Sequence, residues 1–189
     1  MSHARTPEEV KARVRGAIGA LADAAGRYLA EPAVARRAAP PHDCSAMDGF
    51  AVRAAEVAGA VALPGSQVIY AGDAPAPLRP GEVARIFTGA ALPAGADAVV
   101  REEEVRWEGG RARFRRPAKA GENVRHAGED VAEGAEALTA GSRVGARQLA
   151  LLAAVGAGDV VAHRRLRVAL ISTGDEIVRG RTADSNGAA

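Results

Sequence analysis

The chain has a single cysteine, Cys44. That excludes an intramolecular disulfide and any cysteine-based metal cluster, and it fits a reducing, cytoplasmic setting. Lysine occurs only at Lys11 and Lys119, so arginine carries nearly all the positive charge. Aromatic residues make up 3% of the chain. None interleaves with the arginine groups at Arg111, Arg113, Arg115, Arg116 or at Arg164, Arg165, Arg167, which argues against a nucleic-acid surface. No run approaches the roughly 20 apolar residues a membrane span needs. The charged N-terminus has no apolar signal core. The scattered histidines form neither a Ser-His-Asp nor a Cys-His arrangement.

What is present is a chain of 189 residues, 48% hydrophobic, with room for one or two small domains. With so few rings, the core has to be built from Ala, Val, Leu and Ile. Residues 6–29 predict a helix: Thr6 as cap, Pro7 in the first turn, Glu8 and Glu9 at the positive end of the dipole, and Val10, Val14, Ile18 and Leu21 as its apolar stripe. Pro32, Pro40 and Pro41 then favour extended chain over 30–41. From 44 to 136, short apolar runs at 67–71, 82–87, 98–105 and 111–114 alternate with Gly and Pro turns, predicting a barrel or compact β unit without a long helix. Residues 138–165 return to helix, capped by Ser142, running through Val144, Leu149, Leu151, Leu152 and Val155, and ended by Gly156 or Gly158. Residues 159–163 read as extended. The run Val168-Ala169-Leu170-Ile171, within 167–172, predicts a strand buried on both faces of a parallel sheet. A lone strand cannot bury both faces, so the sequence reads as cut off inside an α/β domain.

Chemistry concentrates in a few stretches. His42-Asp43-Cys44-Ser45-Ala46-Met47-Asp48-Gly49 leads into a strand start at Phe50-Ala51-Val52-Arg53. Asp48-Gly49 reads as a tight turn, because glycine accepts positive φ, and the turn would project the carboxylate. A strand ends at Thr88-Gly89, leaving a hydroxyl and backbone amides. Residues 121–130 are polar and bounded by glycine, and they bring Arg125, His126, Glu129 and Asp130 together, a composition suited to an anion or a metal. Ser172-Thr173-Gly174-Asp175-Glu176 follows the apolar run, where α/β sheets bind ligands. Asp184-Ser185-Asn186 offers three helix-capping side chains. Cys44 reads as a small buried side chain.

In this order, these stretches resemble the MoeA family of molybdopterin molybdenumtransferases, relatives of the gephyrin E domain. Ser45 through Arg53 is similar to its SAMDGYA signature, with Phe50 for Tyr and Cys44 where Asn is usual. Residues 85–90 and 93–100, the Gly121-Glu122-Asn123-Val124-Arg125 and Gly128-Glu129-Asp130 pair, 172–176 and 184–186 resemble further family motifs. The resemblance implies a mixed α/β multidomain fold. After an N-terminal helix at 1–21, a split linker domain (22–43 and 137–165) would carry an inserted β domain (44–136). The truncated start of a three-layer α/β molybdopterin-binding domain would follow at 166–189. It implies a homodimer that inserts molybdate into adenylylated molybdopterin and releases AMP with Mg²⁺, and a molybdopterin adenylyltransferase as a partner. Asp48, Thr88, Asp130 and Glu176 would be catalytic. Ser172, Thr173, Gly174, Asp175, Asp184, Ser185 and Asn186 would bind substrate. Asp48, Asp130 or Glu176 could hold the metal or position water. The 189 residues alone are not expected to complete the reaction. The rival expectation is a non-catalytic scaffold or dimerisation module.

Overall fold

The computed structural model describes residues 18–169, 171 and 173, and among these described residues it has twelve short strands, one α-helix and three short 3₁₀ turns. In chain order the strands are β1 (Ile18–Ala20), β2 (Ala33–Val34), β3 (Cys44–Ser45), β4 (Gly49–Val52), β5 (Ala62–Ile69) and β6 (Val83–Ile86). They continue as β7 (Ala98–Arg101), β8 (Val105–Glu108), β9 (Arg111–Phe114), β10 (Val124–Arg125), β11 (Glu136–Leu138) and β12 (Asp159–Val161). The helix α1 spans Ala146–Ala154.

Six strands form one sheet in the order β7-β4-β6-β5-β9-β8, antiparallel throughout except for the parallel β5/β6 pair. Strand β4 lies second from one edge, between β7 and β6, and is buried along its whole length. Its residues alternate between two cores, as the period of two in a strand requires. Phe50 and Val52 join Val83, Val100 and Phe114 on one face. Ala51 joins Ile69, Ala84, Ile86 and Val99 on the other. With so few rings, the larger face relies on one stacked pair, Phe50 and Trp107, at 5.4 Å between centroids. Gly65 leaves room for that indole: a Cβ there would lie 2.4 Å from it.

A third core draws on distant parts of the chain: Ala24, Leu29, Ala33 and Ala35 against Val144, Leu152, Val155 and Val160. Two small antiparallel pairs, β1/β12 and β11/β2, frame it.

Two helix expectations are corrected. The described part of 6–29 is not α-helical: β1 pairs with β12, residues 21–24 form a 3₁₀ turn, and Gly26 adopts φ 74°. Pairing with a partner about 140 positions away overrides the local apolar stripe, and residues 6–17 lie outside the described residues. Within 138–165, α1 begins at Ala146, not after Ser142. The Ser142 carbonyl accepts from Leu29 N–H and Val144 N–H donates to the Arg27 carbonyl, so this segment is tied to residues 27–29 through an isolated bridge at Tyr28 and Arg143. Gly145 precedes the helix, its N–H donating to Gln148 Oε1 at 3.2 Å, and Gly156 with φ 72° follows it. The expected strand at 167–172 is not present among its described residues. Arg167, Val168, Ala169 and Ile171 have no regular structure, and Val168 and Ile171 are 83% and 81% exposed. No described strand lies alongside to pair with them.

Candidate functional site

Antiparallel pairing on both sides of β4 decides where the chemistry gathers. It sets Gly49, the first residue of β4, opposite Ile86 at the end of β6 and Arg101 at the end of β7. Whatever precedes β4 therefore meets whatever follows β6 and β7. Asp48 precedes β4, Thr88 follows β6 and Glu102 follows β7.

The glycine works differently from the turn expected. Gly49 does not have positive φ and belongs to the strand. A Cβ at this position would lie 2.1 Å from the Val100 carbonyl oxygen, so glycine is needed for close approach of β7. The bend lies at 46–48 instead. Ser45, itself buried, closes it: its Oγ donates to the Met47 carbonyl at 2.5 Å. The turn carrying Thr88 is pinned to the same place, with Gly89 N–H donating to the Ser45 carbonyl and Ser45 N–H to that of Ala90.

Two residues 40 apart in sequence are thereby joined. Asp48 Oδ1 accepts from Thr88 N–H at 2.7 Å and from Thr88 Oγ1 at 2.6 Å. These bonds, the hydroxyl's first and then the amide's, hold the Asp48 carboxyl below the usual range, with a smaller push from the Arg85 charge. Hydrogen bonding to the ionised form is the cause, since both donors stabilise the carboxylate and not the acid. The Asp48 carbonyl accepts Glu102 N–H at 3.0 Å. Met47, Asp48, Thr88, Glu102 and Glu103 line an open cleft of about 500 Å³. Glu102 and Glu103 are members of the site that sequence reasoning missed. The available signal was the acidic run Glu102-Glu103-Glu104 directly after an apolar strand.

Asp130 is in a different situation. Arg125 Nη2 donates to Asp130 Oδ1 at 2.5 Å, and Arg125 Nε lies 3.5 Å from Glu129 Oε1. The Asp130 carboxylate raises the Arg125 pKa further above its ordinary value. Asp130 does not line the cleft at Asp48. Next to this loop, Asp43 accepts from Ala127 N–H at 2.8 Å and lies 3.3 Å from His126 Nδ1, and the Ala127 bond lowers the Asp43 pKa. Cys44 is buried, and burial pushes its thiol up, as suits a packing residue.

Thr173 is exposed and has no regular structure. Glu176, Ser172, Gly174, Asp175, Asp184, Ser185 and Asn186 lie outside the described residues. Among the described residues no group of three His, Cys, Asp or Glu could hold a metal. No helix among them is long and apolar enough to cross a membrane.

Residues 3–156 match the family described as the MoeA N-terminal region, domain I and II. The chain is 37% identical over 214 residues to molybdopterin molybdenumtransferase 1 of Mycobacterium tuberculosis (strain CDC 1551 / Oshkosh), an alignment covering 97% of this chain and 50% of that protein. It is 40% identical over 174 residues to the molybdopterin molybdenumtransferase of Nostoc sp. (strain PCC 7120), covering 85% and 40%. The crystal structure of the molybdopterin biosynthesis MoeA protein from Pyrococcus horikoshii superposes with a TM-score of 0.73 at 35% identity, over 83% of this chain and 43% of that one. The chain thus spans about half the length of the curated relatives it matches.

Proposed function

The chain belongs to the MoeA family, and on that premise we propose that it supplies the N-terminal part of an enzyme of molybdenum cofactor biosynthesis, which inserts molybdate into adenylylated molybdopterin and releases AMP. The observation that carries the reading is the match over residues 3–156, together with relatives named as molybdopterin molybdenumtransferases. Those names do not favour the non-catalytic scaffold.

Asp48 and Thr88 are the residues of this chain that we assign to the reaction. Thr88 fixes the Asp48 carboxylate and keeps it ionised. A carboxylate with a lowered pKa is a weak base but a good hydrogen-bond acceptor. Its role is therefore to orient water or a substrate hydroxyl by accepting a hydrogen bond, not to remove the proton. Asp130, bound to a guanidinium, shapes the neighbouring loop. Glu176 remains assigned to catalysis, and residues 172–175 and 184–186 to substrate, by the resemblance alone.

Magnesium fits the described residues poorly. Asp48 and Asp130 are not part of any three-ligand group there, and Arg125 already neutralises Asp130. No step here runs through the ion.

For the domains, we place a linker at 22–43 and 137–165 and a β domain at 44–136. The separation of the core at Ala24–Ala35 and Val144–Val160 from the two cores of the sheet supports that division. A cytoplasmic homodimer receiving its adenylylated substrate from an adenylyltransferase completes the reading. The test is reconstitution: the full-length protein carrying these residues, given adenylylated molybdopterin and molybdate, releases AMP in step with molybdenum incorporation. Binding of the substrate without either product would favour the scaffold.

A further inference from the structure

The cleft at Asp48 carries more negative side chains than an anionic substrate would tolerate. Asp48, Glu102 and Glu103 all line it. The charged groups around them come from three elements: Arg85 on β6, Arg101 at the end of β7, and Glu102, Glu103 and Glu104 on the 3₁₀ turn that follows. Arg101 lies 3.4 Å from Glu103 and 3.0 Å from Glu104, and Arg116 donates to Glu104 at 2.7 Å. Arg85 Nη2 donates to Glu102 Oε1 at 2.6 Å. Two of the three lining carboxylates thus have a guanidinium partner, and Asp48 has neutral Thr88 donors.

Arg85 is itself held in place. Its guanidinium carbon lies 5.3 Å from the centroid of the Phe87 ring. That ring stacks on Tyr70 at 4.9 Å with 7° between planes. A planar cation resting on an aromatic face loses less freedom on pairing than a loose lysine would. The ion pair is half exposed, so it contributes little to stability. A column of two rings and an arginine at such a place needs another reason.

We infer that Arg85 is a positioning residue for substrate: seated on Phe87 and Tyr70, it holds and neutralises the Glu102 carboxylate, so that an anionic substrate can approach Asp48 and Thr88. The inference rests on the proposed reaction for its substrate. Arg85 acts through Glu102 and does not itself contact the substrate. Charge at a cleft mouth changes encounter and binding more than the chemical step.

The experiment compares the parent with Arg85→Lys, Arg85→Gln, Glu102→Gln and the Arg85→Gln/Glu102→Gln double variant, in the full-length protein. It measures KM and kcat for adenylylated molybdopterin at two ionic strengths. Arg85→Gln is expected to raise KM about tenfold at low salt with kcat little changed, and the rise should shrink at high salt as the bare Glu102 charge is screened. Arg85→Lys keeps the charge without the stacked geometry and should recover part of the loss. The double variant, with both charges gone, should return KM to within about threefold of the parent. If the double variant stays as impaired as Arg85→Gln, Arg85 meets the substrate directly and the inference is overturned. A fall in kcat alone, indifferent to salt, overturns it too. Failure of the parent to turn over or bind this substrate would instead overturn the functional reading.

Discussion

Two carboxylates on neighbouring loops, Asp48 and Asp130, differ in what holds them. Asp48 is bound by the amide and hydroxyl of Thr88, which fix its position and leave its charge. Asp130 is bound by Arg125, which fixes its position and cancels its charge. Both are exposed, and each carboxylate is held at short range by the donors of one residue. Neutral donors produce a carboxylate that still attracts cations and donor hydrogens. A guanidinium produces a structural tie. The chemical capacity of an acidic residue thus depends on its partner, and the sheet supplies the partner: strand ends that meet at β4 put a threonine beside one aspartate, whereas the 125–130 loop supplies its own arginine.

The largest expected effect concerns the platform under Asp48. Gly49→Ala would force β7 away, since backbone cannot yield to a 2.1 Å approach, at a cost of about 3 kcal/mol or more. Gly121→Ala, on the loop leading to Asp130, meets open space and pays only for its φ of 79°, about 1–2 kcal/mol. Thermal melts of the two variants should differ in that order. Equal melting points would mean that the Asp48 corner does not depend on the sheet.

Next comes the partner itself. Thr88→Val removes the hydroxyl donor and keeps the amide, and should lower AMP release about tenfold, with Thr88→Ser close to the parent. Asp130→Asn should cost less than about threefold, because it disturbs a tie and not a working charge. An Asp130→Asn loss larger than that of Thr88→Val would invert the comparison.

The smallest effect is expected with acid. Folding depresses the carboxyl pKa of Asp48 and Asp43, from an ordinary 3.8, and of Glu104 and Glu122, from 4.5. A depressed carboxyl stabilises the fold above its unfolded pKa, and that contribution is lost as pH falls through the lower folded value. Stability should therefore be flat above about pH 5 and decline below it. For Glu104 and Glu122 the cause is Arg116, which bonds both, so Arg116→Gln should flatten the acid decline. A decline as steep in that variant as in the parent would remove Arg116 as its source.

The strands of the sheet were readable in the sequence because their signals are local. The 111–114 run is β9 at the same residues, and the 82–87 run contains β6. Two segments around the third core were misread as helix because their partners are remote: Ile18 pairs with Val161, and the segment at Ser142 is tied to Leu29, which no helical periodicity can reveal. At the site, Asp48 and Thr88 each stood out alone, but their contact depends on the register of β4 with β6. Gly49 was read as a turn former because sequence cannot tell a glycine needed for φ from one needed for space. Glu102 and Glu103 went unnoticed because an acidic run after a strand usually marks a solvated face.

The most direct test of the account is AMP release by Asp48→Asn in the full-length protein, with a melting curve taken alongside. Asn keeps the side-chain oxygen that accepts from Thr88, so the melting midpoint should match the parent while AMP release falls about a hundredfold. A folded Asp48→Asn protein that releases AMP within about threefold of the parent rate would contradict the assignment of the working charge to Asp48.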